Sequence, residues 1–177
     1  MRKNNIILVG MMGAGKTFIG KTLKETFLDM NLIDTDEYIE STQDMKISEI
    51  FEKFGEPYFR DLETSAIKQI IKAENQIISL GGGAFEREEN REILNNNGYT
   101  IYLKAPAETL FERIKNETHR PLLKQGFGVE KVAEILDKRE NNYQKALIII
   151  DTCQKSKYNI IDEIKKRIEE ICQIKLR

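Results

Sequence analysis

The chain is poor in the side chains that usually build metal clusters, nucleophilic triads and disulfide frameworks. It has two cysteines, Cys153 and Cys172, and one histidine, His119, in 177 residues. Two cysteines so placed give neither a metal-ligand spacing nor a disulfide framework. A lone histidine with no triad or metal cluster nearby is read as a polar lid residue, not as a base. An excess of charge is missing too. Lys and Arg number 28 against 29 Asp and Glu, for a formal net charge of -1, with the signs interspersed. That excludes a general nucleic-acid or membrane-surface footprint. Any anion recognition must come from a few placed cations. No apolar run is long enough to span a bilayer. Met1-Arg2-Lys3 and the apolar residues after it resemble a secretory leader only superficially, because glycines and Lys16 interrupt the run and no small-residue cleavage site follows. The cytosol is the expected compartment. There is no linker, low-complexity tract or internal repeat, and the length fits one domain over 1–177 with a sizeable core.

What the chain does contain is Gly10-Met11-Met12-Gly13-Ala14-Gly15-Lys16-Thr17, which fits G-x-x-x-x-G-K-[ST]. The context is as the chemistry requires. Ile6-Ile7-Leu8-Val9 before it reads as a buried strand, and Phe18-Ile19-Gly20-Lys21-Thr22-Leu23 after it opens a helical pattern. Glycines let the backbone turn several N–H groups toward one anion, and the helix N-terminus adds its dipole. Gly13, Ala14, Gly15 and Phe18 are therefore candidate nucleotide-binding residues. Lys16 reaches the β- and γ-phosphates, and the Thr17 hydroxyl can ligate Mg²⁺. A connecting turn with no ligand would not need Lys and Thr after its last glycine.

Four further strands are expected: Leu32-Ile33 ending at Asp34, then 76–80, 99–103 and 146–150. Helical patterns cover about 16–28, 35–54, 57–74, 86–96, 106–116, 129–143 and 158–173. In the last of these Ile160, Ile161, Ile164, Ile168, Ile171 and Cys172 share a face expected to be core. Alternating strands and helices predict an α/β fold, a three-layer α/β/α with a five-stranded parallel sheet, and the motif at 10–17 makes it one of P-loop type. Functional groups should collect at the carboxyl ends of the strands.

Those ends carry candidates. Asp34-Thr35-Asp36 places two carboxylates at a strand–helix junction. One can hold waters around Mg²⁺ while the other accepts a hydrogen bond from a hydroxyl nucleophile, although a helix N-cap also favours Asp. Glu63 follows Arg60 by three helical positions and can orient its guanidinium toward a planar anion, although taken singly such a pair is an ordinary surface ion pair. Gly81-Gly82-Gly83 suits close approach of a ligand to the main chain. Ser79 stands where many phosphate-loop enzymes have a metal-side Asp, so Asp34 is the better metal-side acid. From His119-Arg120 to Gly128, Pro121, Gly126 and Gly128 interrupt helix around a cationic stretch. A lid over about 118–128 that carries Arg120 to the phosphates is expected.

In order and spacing these pieces resemble the shikimate kinase family across nearly the whole chain. The matching pieces are 10–17, Asp34-Thr35-Asp36, Phe59-Arg60 with Glu63, Ser79 to Gly83, Arg120 to Leu123, and Arg139 with Tyr143. The resemblance implies an ATP-dependent transfer to a shikimate ring hydroxyl, in aromatic amino-acid biosynthesis, with Mg²⁺. Lys16, Asp36 and Arg120 would be catalytic. Thr17 would bind the metal and Asp34 would do so through water. Asp36, Arg60, Arg139 and the Gly82 and Gly83 amides would hold the substrate, with Phe51 and Phe59 beside its ring and a helical substrate region over about 35–62. Arg113 and Lys155 would cover the adenine side, where Cys153-Gln154-Lys155 departs from the family pattern. The partners would be ATP and shikimate, with no nucleic acid or membrane, and the chain would act as a monomer. Without the resemblance, the residues point to an ATP-dependent kinase for a small anionic hydroxylated substrate. They leave open a gluconate kinase-like enzyme, a nucleoside monophosphate kinase or a silent nucleotide-binding module.

Overall fold

A computed structural model describes residues 4–115 and 128–174. Five strands, β1 (Ile6–Val9), β2 (Asn31–Asp34), β3 (Gln76–Ser79), β4 (Tyr99–Lys104) and β5 (Ile148–Asp151), form one sheet in the order β2-β3-β1-β4-β5. Every pairing is parallel, with Ile7 opposite both Ile78 and Thr100. The helices are α1 (Lys16–Thr26), α2 (Thr35–Gln43), α3 (Ile47–Ile70), α4 (Glu88–Asn97), α5 (Ala107–Ile114), α6 (Val129–Tyr143) and α7 (Lys157–Ile174). The α/β class with a five-stranded parallel sheet is as the sequence predicts.

β1 and β3 are buried along their whole length, which is why they read as continuous apolar runs and not as alternating ones. Their amino ends are tied by Asn5, which is fully buried. Its Nδ2 donates to the Ala73 and Asn97 carbonyls, its Oδ1 accepts from Gln76 N, and its carbonyl accepts from Tyr99 N. One side chain thus aligns β1, β3 and β4. On α7, Ile160, Ile161 and Ile164 are buried, and Ile168 and Ile171 pack against the core. Cys172 Sγ lies 3.0 Å from the Tyr99 hydroxyl.

The helix expected over 35–54 is two helices. Asp44 adopts the left-handed conformation (φ 48°), and its N–H caps α2 on the Glu40 carbonyl. Glu40 then bridges to the next helix, accepting Ile47 N at 3.0 Å and pairing with Lys46 at 2.7 Å. The break expected between 54 and 57 is a kink inside α3. Gly55 (φ 80°, ψ 171°) leaves helical geometry, and Pro57 restarts it at a position where a missing N–H costs little. A 3₁₀ turn at Ala84–Glu86 precedes α4, and β5 starts two residues later than predicted.

Candidate active site

The carboxyl end of β1 turns into α1 through the phosphate loop. Gly13 (φ 79°) and Gly15 (φ 87°) are left-handed, and Gly15 is the N-cap of α1 with no side-chain cap. An uncapped helix N-terminus leaves its first N–H groups for an anion. Lys16 Nζ folds back over the loop and donates to the carbonyls of Gly10 (2.8 Å) and Met11 (3.1 Å), which fixes the ammonium against the loop backbone. The Thr17 hydroxyl donates to Asp34 Oδ2 at 3.3 Å. The other Asp34 oxygen accepts Asp36 N at 3.0 Å and caps α2. Asp34 therefore acts both as the N-cap and as the carboxylate beside Thr17.

The second cluster lies across the end of β3. Arg60 Nη1 pairs with Glu63 at 2.7 Å, and its Nε and Nη2 both reach Glu56 Oε1 at 3.1 and 2.7 Å. Glu63 is 2% exposed. Burial raises its pKa, Arg60 pulls it down and the nearby Asp36 charge pushes it up further. Burial also works against the Arg60 charge, but Glu63 and Glu56 outweigh it, so the guanidinium pKa is raised and the charge is secure. Arg139, from α6, donates to the Gly82 carbonyl at 3.3 Å and lies near enough to lower the Glu63 pKa. Asp36, Arg60, Glu63, Arg139 and the three glycines thus converge from α2, α3, α6 and the β3 turn.

Two hydrogen bonds that fix this cluster were not expected from the sequence, although its motifs include both residues that make them. Gly81 N donates to the buried Thr35 hydroxyl at 2.8 Å, which ties the glycine turn to α2. Tyr143 donates to the Gly82 carbonyl at 2.6 Å. Glu56, the other unforeseen partner of Arg60, is legible as an i−4 helical neighbour.

The remaining candidates take up peripheral places. Phe59 is buried in the core at 4.7 Å from the half-buried Phe51, with the Arg60 guanidinium 5.5 Å from its ring. Arg113 Nη1 donates to the Gly13 carbonyl at 3.2 Å and so touches the phosphate loop itself. Phe18 is exposed beneath Lys157, and Lys155 pairs with Glu163 at 2.6 Å. Ala14 is buried in the loop. Arg120, His119 and the expected lid up to residue 127 lie outside the described residues; Gly128 is the N-cap of α6.

The family model described as shikimate kinase matches residues 12–169. The chain belongs to the shikimate kinase family. A shikimate kinase of Persephonella marina is 43% identical over 164 residues, covering 93% of this chain and 98% of that protein. Among solved structures, shikimate kinase from Acinetobacter baumannii in complex with shikimate superposes with a TM-score of 0.87 at 34% identity, over 99% of this chain and 96% of the other. A gluconokinase from Sinorhizobium meliloti shares the fold at a TM-score of 0.56 and 10% identity, over 98% of this chain and 96% of the other.

Proposed function

We propose that the protein transfers the γ-phosphoryl group of ATP to a ring hydroxyl of shikimate, giving shikimate 3-phosphate and ADP, within aromatic amino-acid biosynthesis. One observation carries the reading. The phosphate loop, with Lys16 and Thr17, and an acid-recognition cluster, with Arg60, Arg139 and Asp36, sit at adjacent carboxyl ends of one parallel sheet. A nucleotide on the first and a small hydroxy acid on the second would meet between them. Family membership names the acid.

The chemistry asks mostly for placement, because phosphoryl transfer through a loose transition state needs little base strength. Lys16 and the α1 amides would hold the phosphates. Asp36 would orient the attacking hydroxyl and accept its proton. Arg60 and Arg139 would bind the substrate carboxylate, with Arg60 held flat by Glu63 and Glu56. The donor set at Thr17 and Asp34 fits Mg²⁺. A hydroxyl and one carboxylate are hard oxygen donors, and among the described residues no group of three or more His, Cys, Asp and Glu converges. An ion here would take its other ligands from phosphate oxygens and water. When bound, it would neutralise charge on the transferring phosphoryl group.

We read residues 1–177 as one kinase domain, monomeric and cytoplasmic, with a substrate region over about 35–62 and no nucleic-acid or membrane partner. Among the described residues no helix is long and apolar enough to cross a membrane. The likeness to gluconokinase concerns the fold alone and favours no second substrate. A coupled ADP-release assay with shikimate, gluconate and nucleoside monophosphates tests the reading. Shikimate-dependent, Mg²⁺-dependent release is expected, and equal or greater turnover of another acceptor overturns it.

A further inference from the structure

Tyr143 is buried completely, and its hydroxyl reaches the glycine turn after β3. The ring packs 5.1 Å from that of Tyr102, whose own hydroxyl donates to Glu140 at 2.5 Å, while Lys104 pairs with the same carboxylate at 2.9 Å. Held this way, Tyr143 donates to the Gly82 carbonyl at 2.6 Å. Arg139 Nη1 approaches the same oxygen at 3.3 Å, near the long limit for such a bond; the guanidinium also lies against the Tyr143 hydroxyl, whose pKa it pulls down, and reaches the weak acceptor Met11 Sδ at 3.9 Å. The neighbouring Asn142 donates to Glu86 at 3.2 Å. Consecutive residues at the end of α6 therefore grip the glycine turn and the 3₁₀ turn that follows it.

We propose that Tyr143 is a positioning residue for the acid substrate: its hydroxyl satisfies and orients the Gly82 carbonyl, which leaves the Arg139 guanidinium available to the substrate carboxylate. The inference rests on the reading of Arg139 as a carboxylate reader. Two physical consequences follow from one hydrogen bond. A part-buried carbonyl that loses its donor recruits the nearest remaining one, and that donor is Arg139. The Gly82 carbonyl and the Gly83 N–H also belong to one planar trans peptide and point to opposite sides. Holding the carbonyl against α6 therefore aims the Gly83 N–H away from α6, where Gly83 adjoins Arg60. Burial pushes the Tyr143 phenol up to about 12, so it remains a donor throughout the neutral range.

The test is Tyr143→Phe, which keeps the ring packed on Tyr102 and removes the hydroxyl. KM for shikimate should rise roughly tenfold, with KM for MgATP and kcat at saturating shikimate within about twofold of wild type. In an Arg139→Ala background the same substitution should change the shikimate KM by no more than about threefold, because the competition it releases is gone. A merely structural role would lower the melting temperature and leave the KM split unmoved. If Tyr143→Phe is unstable in the assay, calorimetric titration of shikimate at low temperature gives the same comparison. Unchanged shikimate affinity in Tyr143→Phe, or effects of the two substitutions that simply add, overturns the proposal while a wild type active on shikimate keeps the function. A wild type with no shikimate-dependent ADP release sinks the functional reading, and the proposal falls with it.

Discussion

The turn after β1 and the turn after β3 each end a buried strand of the same sheet, and each carries three glycines, for different reasons. In the first, the glycines are demanded by the backbone. Gly13 is left-handed, and an added Cβ would strike the Leu110 carbonyl oxygen at 2.8 Å and Ile114 Cγ2 at 2.9 Å, a wall of α5 that cannot swing aside. Gly15 has open space around it but is left-handed as well. In the second, no glycine has a left-handed backbone, and the space is taken by charged side chains. An added Cβ at Gly81 would meet the Asp36 carboxylate, and one at Gly83 would meet the Arg60 guanidinium, with Cζ at 2.8 Å. A phosphate is bound by main-chain N–H groups, so the loop that binds it must be shaped as backbone. Under the proposed function a small hydroxy acid would be held by side-chain charges, and the turn beneath it is shaped as room for those side chains.

The sharpest way to break the comparison is to remove the one side chain on which the backbone-shaped loop relies. Lys16→Met should lower kcat by about 10²–10³-fold or more, with a melting temperature near that of wild type, because Lys16 faces loop carbonyls and not core. Near-normal turnover in the folded variant would remove Lys16 from the phosphate clamp.

The side-chain-shaped turn should fail differently. Arg60→Ala removes a charged hydrogen-bonding group worth ~1.5–3 kcal/mol to the ligand, so shikimate KM should rise roughly ten- to a hundredfold while MgATP affinity without substrate holds. It also strands the buried Glu63 carboxylate, so chemical denaturation should show a loss of about 3–5 kcal/mol. Discrimination between shikimate and its neutral amide that matches wild type would show that Arg60 does not read the carboxylate.

Within that turn the glycines should separate. Gly83→Ala crowds a guanidinium already tied to Glu63 and Glu56, so stability should fall by about 1–3 kcal/mol while shikimate KM rises about tenfold. At Gly82 the nearest atom to an added Cβ is Arg139 Nη1 at 3.6 Å, an ordinary contact, so Gly82→Ala should change stability by less than about 0.5 kcal/mol and shikimate KM by less than about twofold. Steady-state kinetics on the pair checks the order, and equal effects would mean that room for Arg60 is not what Gly83 supplies.

Behind the turn the expected effect falls on stability and not on substrate binding. Burial raises the Glu140 pKa, but bonds from Tyr102, Lys104 and Gln144 outweigh it and hold the carboxyl below its ordinary 4.5. Its stabilisation is present above that value and is lost as pH falls through the lower folded one. Glu140→Gln should cost about 1–2 kcal/mol at neutral pH, and the gap to wild type should narrow as pH drops below 4.5. Melting curves across that range check it, and a gap independent of pH would mean that the carboxylate charge is not what is used.

The first turn was legible because its pattern is local. Strand, glycines, Lys16, Thr17 and helix lie within about a dozen residues, and each spacing has a backbone reason. The Arg60–Glu63 pair was legible for the same reason, as an i,i+3 neighbour. The break of the 35–54 helix was not, because Asp44 is a tolerable helix residue whose left-handed conformation depends on how α2 meets α3. Thr35 and Tyr143 were invisible as supports, since their partners Gly81 and Gly82 lie 46 and 61 residues away.

By itself, then, the sequence determined the α/β sheet, the phosphate-loop motif and the Arg60–Glu63 pairing, because periodicity and short-range turn chemistry are written in adjacent residues. Tertiary structure alone decided that Asp34 serves Thr17 and α2 at once, that Glu63 is buried between Arg60 and Asp36, and that α6 grips the glycine turn. Those arrangements depend on how a parallel sheet in the order β2-β3-β1-β4-β5 gathers the carboxyl ends of strands distant in sequence, and local sequence patterns carry no record of that distance.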